Sequence, residues 1–148
     1  MFGLFKKKVL TYPVTAQWSV AKGVRSGKPI FIRRNQSATS LAGHAEYKFR
    51  VGVAIPLREP NSDGLPNNAE MEQLNAIEDQ LCAALEKGQV SLQVLSITTQ
   101  GMREFVFYTR SPSAANLAID GLRAQPLTHE IQNYVIEDPK WGVYSQFA

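Results

Sequence analysis

One cysteine, Cys82, and two histidines, His44 and His129, are all the soft-ligand and imidazole chemistry that 148 residues contain. A lone cysteine forms no internal disulfide, so stability rests on packing and no oxidising compartment is demanded. His44 and His129 stand far apart, and no HExxH or CxxC spacing accompanies them, so the sequence points to no metal site. No apolar run approaches the roughly 20 residues of a membrane-spanning helix. Residues 1–8 place their lysines after their apolar residues, the reverse of a secretory signal, and the expectation is a cytoplasmic protein without integral membrane association. A glycine-rich phosphate loop is also missing: Gly23 and Gly27 fall in a hairpin rather than between a strand and a helix, and no cofactor is expected.

Acidic residues are scarce in one part of the chain. Residues 1–58 hold eleven Lys and Arg against a single acid, Glu46, whereas residues 59–148 hold five against twelve acids. Such polarity is found in proteins that contact nucleic acid or membranes. With an overall charge of only +3, its simpler reading is that the two parts face each other within the fold or across a dimer. The lysines at 6–8 read as a solubilising tail, residues 1–11, rather than as a membrane anchor, since no sustained amphipathic helix supports them.

What is present is enough for one ordinary globular domain. Residues 12–22, around Trp18, and 29–34 read as two strands joined by Arg25-Ser26-Gly27-Lys28, giving a hairpin over 12–36. Residues 35–44, rich in Ser, Thr, Ala and Gly, lack periodicity and read as a loop with freedom to move. Over 47–55, Tyr47, Phe49, Val51, Val53 and Ile55 alternate with Lys48, Arg50, Gly52 and Ala54, the pattern of a strand with one buried face. Asn67, three residues before Glu70, resembles a capping box that opens a helix ended by Gly88, with Met71, Leu74, Ile77, Leu81 and Leu85 on its apolar stripe. The acids Glu70, Glu72, Glu78, Asp79 and Glu86 are expected on its outer face.

Residues 89–99 and 102–109 are apolar strands separated only by Gln100-Gly101, a tight hairpin loop. Ser111-Pro112 reads as an N-cap and first-turn proline for a helix to about Arg123, and residues 128–137 return as a strand that Asp138-Pro139 ends. From His44 the order is strand, helix, strand, strand, helix, strand: an α+β, ferredoxin-like βαββαβ arrangement over 44–138, with two helices on one face of an antiparallel sheet. The hairpin is extra, and either extends an edge or covers the free face. Because Met102, Val106 and Tyr108 alternate with Phe105 and Phe107, both sheet faces are apolar, and the face without helices needs a cover: the hairpin or a second copy of the chain.

Trp18 with Gly27-Lys28-Pro29, Asp63-Gly64-Leu65-Pro66, Ile77-Glu78-Asp79, Arg103-Glu104-Phe105 through Tyr108, and Asp138-Pro139 with Trp141 and Tyr144 together resemble the bacterial domain-of-unknown-function family numbered 695. The resemblance spans nearly the whole chain. It implies no established activity, and the fusion of some members to a domain similar to an inhibitor of an RNA-degrading endonuclease implies only an association with regulation.

For chemistry the sequence offers little. Cys82 sits beside Leu81 and Leu85 and reads as a small buried thiol rather than a nucleophile. Glu78 and Asp79 point apart on a helix, and Glu104 and Asp138 meet only if tertiary folding brings them together, so no acid/base pair is named. The Phe-Val-Phe-Tyr run at 105–108 resembles an RNA-binding strand only in part, because Glu104 would face phosphate; core packing is the simpler reading. Trp141 and Tyr144, in the aromatic tail at 139–148, read as residues that fold back over apolar surface. Arg33, Arg34, Lys48 and Arg50, a basic stripe if their strands pair, join Arg103, Trp141 and Tyr144 as the candidate binding surface. The expectation is a non-enzymatic domain that binds another protein or its own copy; an RNA-binding or nuclease-regulating module is the alternative, with nucleic acid the less expected partner.

Overall fold

The computed structural model describes residues 10–148. The lysines at 6–8, and the solubilising role read for them, lie outside the described residues. Six strands form one antiparallel open sheet: β1 (Trp18–Arg25), β2 (Lys28–Asn35), β3 (Phe49–Pro56), β4 (Ser91–Thr99), β5 (Met102–Thr109) and β6 (Gln132–Glu137), in the order β1-β2-β4-β5-β3-β6. Two main helices, α1 (Asn68–Leu85) and α2 (Pro112–Arg123), pack on one face, and a short α3 (Gly142–Gln146) follows the last strand. The architecture is therefore α+β. No helix among the described residues is long and apolar enough to cross a membrane.

Local chemistry places these elements. Both two-residue hairpin loops use left-handed backbone, Ser26-Gly27 at φ 54° and 75° and Gln100-Gly101 at φ 51° and 78°, the geometry that matches the twist of paired strands. Asn67 Oδ1 accepts from the Glu70 N–H at 2.8 Å to cap α1, and Ser111 Oγ accepts from the Ala114 N–H at 3.2 Å to cap α2 ahead of Pro112. The Glu70 carboxylate does not close the box expected from its spacing. It reaches across to the backbone N–H groups of Arg58 and Glu59 and to His129, tying the loop before α1 to the segment before β6.

Alternation on the strands then builds two cores. On the helix side, Val51, Val53, Ile55, Phe105 and Phe107 meet Leu74, Ile77, Leu81 and Leu85 of α1 and Ala115, Ile119 and Leu122 of α2. On the opposite side, Leu92, Leu95, Val106 and Tyr108 are covered by Ala38, Leu41 and Tyr47 and by Trp141 and Tyr144. Leu92 and Leu95 are three residues apart and would point to opposite faces of a regular strand. The register shift between Gln93 and Leu95 returns both to the same face.

This second core corrects three expectations. The hairpin does not cover the free face; β2 pairs with β4 from Ile30↔Thr99 to Arg34↔Leu95 and widens the sheet. The cover is the aromatic tail together with residues 36–47. Residues 35–44, expected as a loop free to move, supply most of that stretch, which folds into short 3-10 turns that bury Ala38 and Leu41 completely. The first strand also begins at Trp18 rather than Tyr12. Trp18 pairs with Asn35, the last residue of β2, so residues 12–17 have no strand to pair with.

A fourth correction concerns α1. Glu70 and Glu78 are buried, and Met71, expected on the apolar stripe, is exposed. Glu78 turns inward because Arg33 and Gln93 satisfy it there. The charge polarity thus resolves partly inside the fold: Arg33 pairs with Glu78 and Arg50 with Asp138.

Two substitutions test the second face. Trp141 is fully buried and stacks on Tyr108 at 4.1 Å between ring centroids, so Trp141→Ala should destabilise by about 3–5 kcal/mol in urea unfolding. At Gly52 an added Cβ would lie 2.2 Å from the Tyr134 ring. Gly52→Ala should therefore displace that ring at a cost of about 1–3 kcal/mol, read in the same assay.

Candidate functional site

The basic stripe, conditional on the strands of Arg33 and Arg50 pairing, does not form. β4 and β5 stand between β2 and β3, and adjacent residues on one strand point to opposite faces. Arg33 faces α1, where Nη1 donates to both Glu78 carboxylate oxygens at 3.1 and 3.0 Å and the guanidinium lies 4.7 Å from the Trp18 ring centre. Arg34 faces the tail, buried 3.7 Å over the Tyr144 ring. Arg50 donates to Asp138 Oδ2 at 3.0 Å, and Lys48 is exposed beside Phe49. Trp141 and Tyr144 are packed into the second core. Of the seven residues, Arg33 and Arg103 share one site, a cleft on the helix side.

The cleft exists because the sheet is wider than its helices. The two hairpin strands carry Trp18, Val20, Lys22, Phe31 and Arg33 toward the helix side, beyond the part of the sheet that α1 and α2 cover. Between α1 and these strands lies a cleft of about 740 Å³, floored by Phe31, Ser96, Thr98 and Arg103 and walled by Met71, Asn75 and Asp79 of α1. Asn61, Leu65 and Pro66 form its lip. Gly64 holds that lip against the β4–β5 turn: its carbonyl accepts from the Gly101 N–H at 2.9 Å, and its φ of +79° suits glycine. Past the Arg33–Glu78 bridge, a smaller recess of about 380 Å³ continues between Tyr12, Trp18, Cys82 and Glu86.

Arg103 is the unusual member. It shares the helix-side face of β5 with Phe105 and Phe107, where a core residue is expected, and it is 7% exposed. Its Nε donates to Thr98 Oγ1 at 2.8 Å and its Nη2 contacts Met71 Sδ at 3.3 Å. No carboxylate among the described residues lies within ion-pairing distance of it. Burial draws its pKa below the usual arginine value, a pull that the more distant Glu78 opposes.

Other groups with chemical potential are committed to structure. Burial, with Glu86, Glu78 and Asp79 nearby, pushes the Cys82 thiol far above its usual range, and its Sγ donates to Gln93 Oε1 at 3.0 Å. Both favour the protonated thiol over the reactive thiolate. Glu104 accepts from the Tyr134 hydroxyl, whose pKa burial and that bond raise to about 12, while Asp138 accepts from Tyr108 and Arg50. Glu104 and Asp138 thus have separate partners.

Burial alone would raise the Asp138 pKa; hydrogen bonds from Gly142, Tyr108, Val143 and Arg50 outweigh it and hold the carboxyl below its usual value. Glu70 is likewise lowered against its burial, by His129 and by the backbone N–H groups of Arg58 and Glu59. The outer strand of the cleft, β1, is equally distinct. Seven of its eight residues are exposed, Val20 and Val24 among them, and its outer edge is unpaired among the described residues.

Sequence reasoning named Arg103 but not its setting. The available signal was an arginine in register with Phe105 and Phe107; Thr98, Met71 and Phe31 carried none. The pattern of a family of unknown function (DUF695) matches residues 16–148. No curated protein and no solved structure matches the chain. The phrases that carry the family resemblance converge on two places: Trp18, Leu65, Pro66, Glu78, Asp79 and Arg103 line the cleft and its recess, whereas Tyr108, Asp138, Trp141 and Tyr144 build the second core.

The two lowered carboxylates fix the sign of the acid response. Each contributes stability in full above the unfolded carboxylate value, near pH 4, and loses it as pH falls through its lower folded value. Thermal melts from about pH 7 to about pH 3 should show stability falling steeply below about pH 4, with a shallower fall in Asp138→Asn, which has no charge there to lose.

Proposed function

Since the chain belongs to the DUF695 family, whose description assigns no activity, we propose a function from geometry: it is a non-enzymatic, cytoplasmic protein-binding module that takes an extended segment of a partner as an added strand on β1. The observation that carries this reading is the exposed, unpaired outer edge of β1. A free edge of this length offers a row of backbone donors and acceptors to another strand. The hairpin closes at Arg25↔Lys28. In a two-residue loop that pair exchanges both of its hydrogen bonds, so by alternation Val20, Lys22 and Val24 turn their N–H and C=O groups outward.

Charge selects the occupant. Residues 18–35 contain five Lys and Arg and no acid, so the hairpin favours an acidic segment and sets like charge against its own copy. The engaged state of Cys82, Glu70, His129 and Asp138 supports a binding role over catalysis. We also read β3 to β6 as a ferredoxin-like βαββαβ unit with the hairpin appended beside β4, a reading supported by the antiparallel order β4-β5-β3-β6.

The test separates backbone pairing from charge. An alternating Val-Glu peptide of about eight residues, the length of β1, should slow hydrogen exchange at the Val20, Lys22 and Val24 amides. Lys22→Ala, which keeps its N–H, should weaken binding modestly, whereas Lys22→Pro should abolish it. Equal loss in the two variants, with steep salt dependence, would indicate contact through charge alone and favour the RNA-binding alternative. Absence of any amide protection would remove strand addition.

A further inference from the structure

The cleft carries an assignment independent of the β1 edge. A guanidinium has five N–H donors, and a buried one is costly unless an anion or a full set of acceptors meets it. Arg103 meets a hydroxyl and a thioether instead. An apolar side chain in register with Phe105 and Phe107 would serve the core better. The arginine therefore sits ready for an anion that the chain itself does not supply.

The surroundings define the rest of the ligand. Val20, Phe31, Leu65, Pro66 and Met71 give the cleft apolar walls, and its volume falls within the roughly 300–1,000 Å³ of small-molecule sites. Glu78 is already occupied by Arg33 and Gln93. Asp79 stands exposed at the wall and disfavours a second anionic group on the ligand, away from Arg103. We propose that the cleft between α1 and the widened sheet binds a small molecule with an apolar body and one oxyanionic end, the oxyanion resting on Arg103. The oxyanion is a carboxylate or a phosphate: both match the planar fork of a guanidinium.

The experiment uses the full chain and three matched probes, benzoate, phenyl phosphate and uncharged benzamide, titrated at millimolar concentration and followed by backbone amide NMR. Benzoate, phenyl phosphate or both should move the Thr98, Met102 and Arg103 signals, and benzamide should bind at least about tenfold more weakly. A response to benzoate alone assigns a carboxylate, and a response to phenyl phosphate alone assigns a phosphate. Arg103→Met should remove the preference for the charged probes while leaving the melting temperature of the free protein unchanged or higher. Arg103→Lys, which keeps the charge but not the fork, should weaken charged-probe binding and preserve the fold, and it stands in if the methionine variant does not fold. The assignment is overturned if none of the probes moves the cleft signals, if benzamide binds as well as benzoate and phenyl phosphate, or if either Arg103 variant that folds binds the charged probes as the parent does.

Discussion

The carboxylate of Asp138 holds together the side of the sheet opposite α1 and α2. One oxygen accepts from Tyr108 of β5 at 2.7 Å and from Arg50 of β3 at 3.0 Å, while the other accepts from the Gly142 N–H at 2.8 Å. Two strands and the first turn of α3 are thereby fixed to one point. Trp141, between them, adopts left-handed backbone at φ 55°, a conformation unfavourable for a bulky residue. It is held there by stacking on Tyr108, an edge contact with Tyr144 and an indole bond to the Tyr47 carbonyl at 2.7 Å. Tyr47 belongs to the turns that bury Leu41, so the clamp reaches the rest of the cover.

With that face closed by the chain itself, the features open to a partner move to the other side. Adding β1 and β2 beside β4 makes the sheet wider than α1 and α2 can cover. The uncovered width is both the cleft and the free edge, so the two candidate sites have one architectural cause. The hairpin also puts Arg33 against α1, where the ion pair with Glu78 separates the cleft from the recess around Cys82. Arg33 is more exposed than Glu78 in this pair. Its contribution is better read as fixing the position of α1 than as net stabilisation, because desolvating the carboxylate offsets much of the attraction.

The basic and acidic parts of the chain meet inside the fold only at particular points. Arg33, Arg50 and the buried Arg34 are engaged with Glu78, Asp138 and the Tyr144 ring, leaving Lys22, Arg25 and Lys28 exposed on the hairpin. Among the described residues, these three exposed cations of the hairpin lie on its edge strand and its turn. A single geometry therefore gives that edge both unpaired backbone groups and a preference for acidic partners.

Local rules were sufficient for the elements. The alternation in β3 and β5, the Ser111-Pro112 start of α2 and the Gln100-Gly101 and Ser26-Gly27 loops each depend on residues close in the chain, and all were legible in the sequence. So was an apolar second face on β5, and so was the folding back of Trp141 and Tyr144 over apolar surface. What covers that face, where the hairpin docks and which acids turn inward depend on partners far apart in the chain. The Glu70–His129 bond spans 59 residues and the Arg50–Asp138 bond spans 88. Residues 36–47 lack periodicity because 3-10 turns bury single side chains rather than a regular stripe, so their packing left no repeating signal. The same holds for the bulge near Val94, one extra residue that reverses the facing of everything before it. Sequence alone determined the presence of the strands, of α1 and α2 and of the two hairpin turns, since those follow from nearest-neighbour sterics and hydrogen bonding. The cleft, its buried arginine and the free edge were decided by tertiary structure, because each is defined by what does not pack against it.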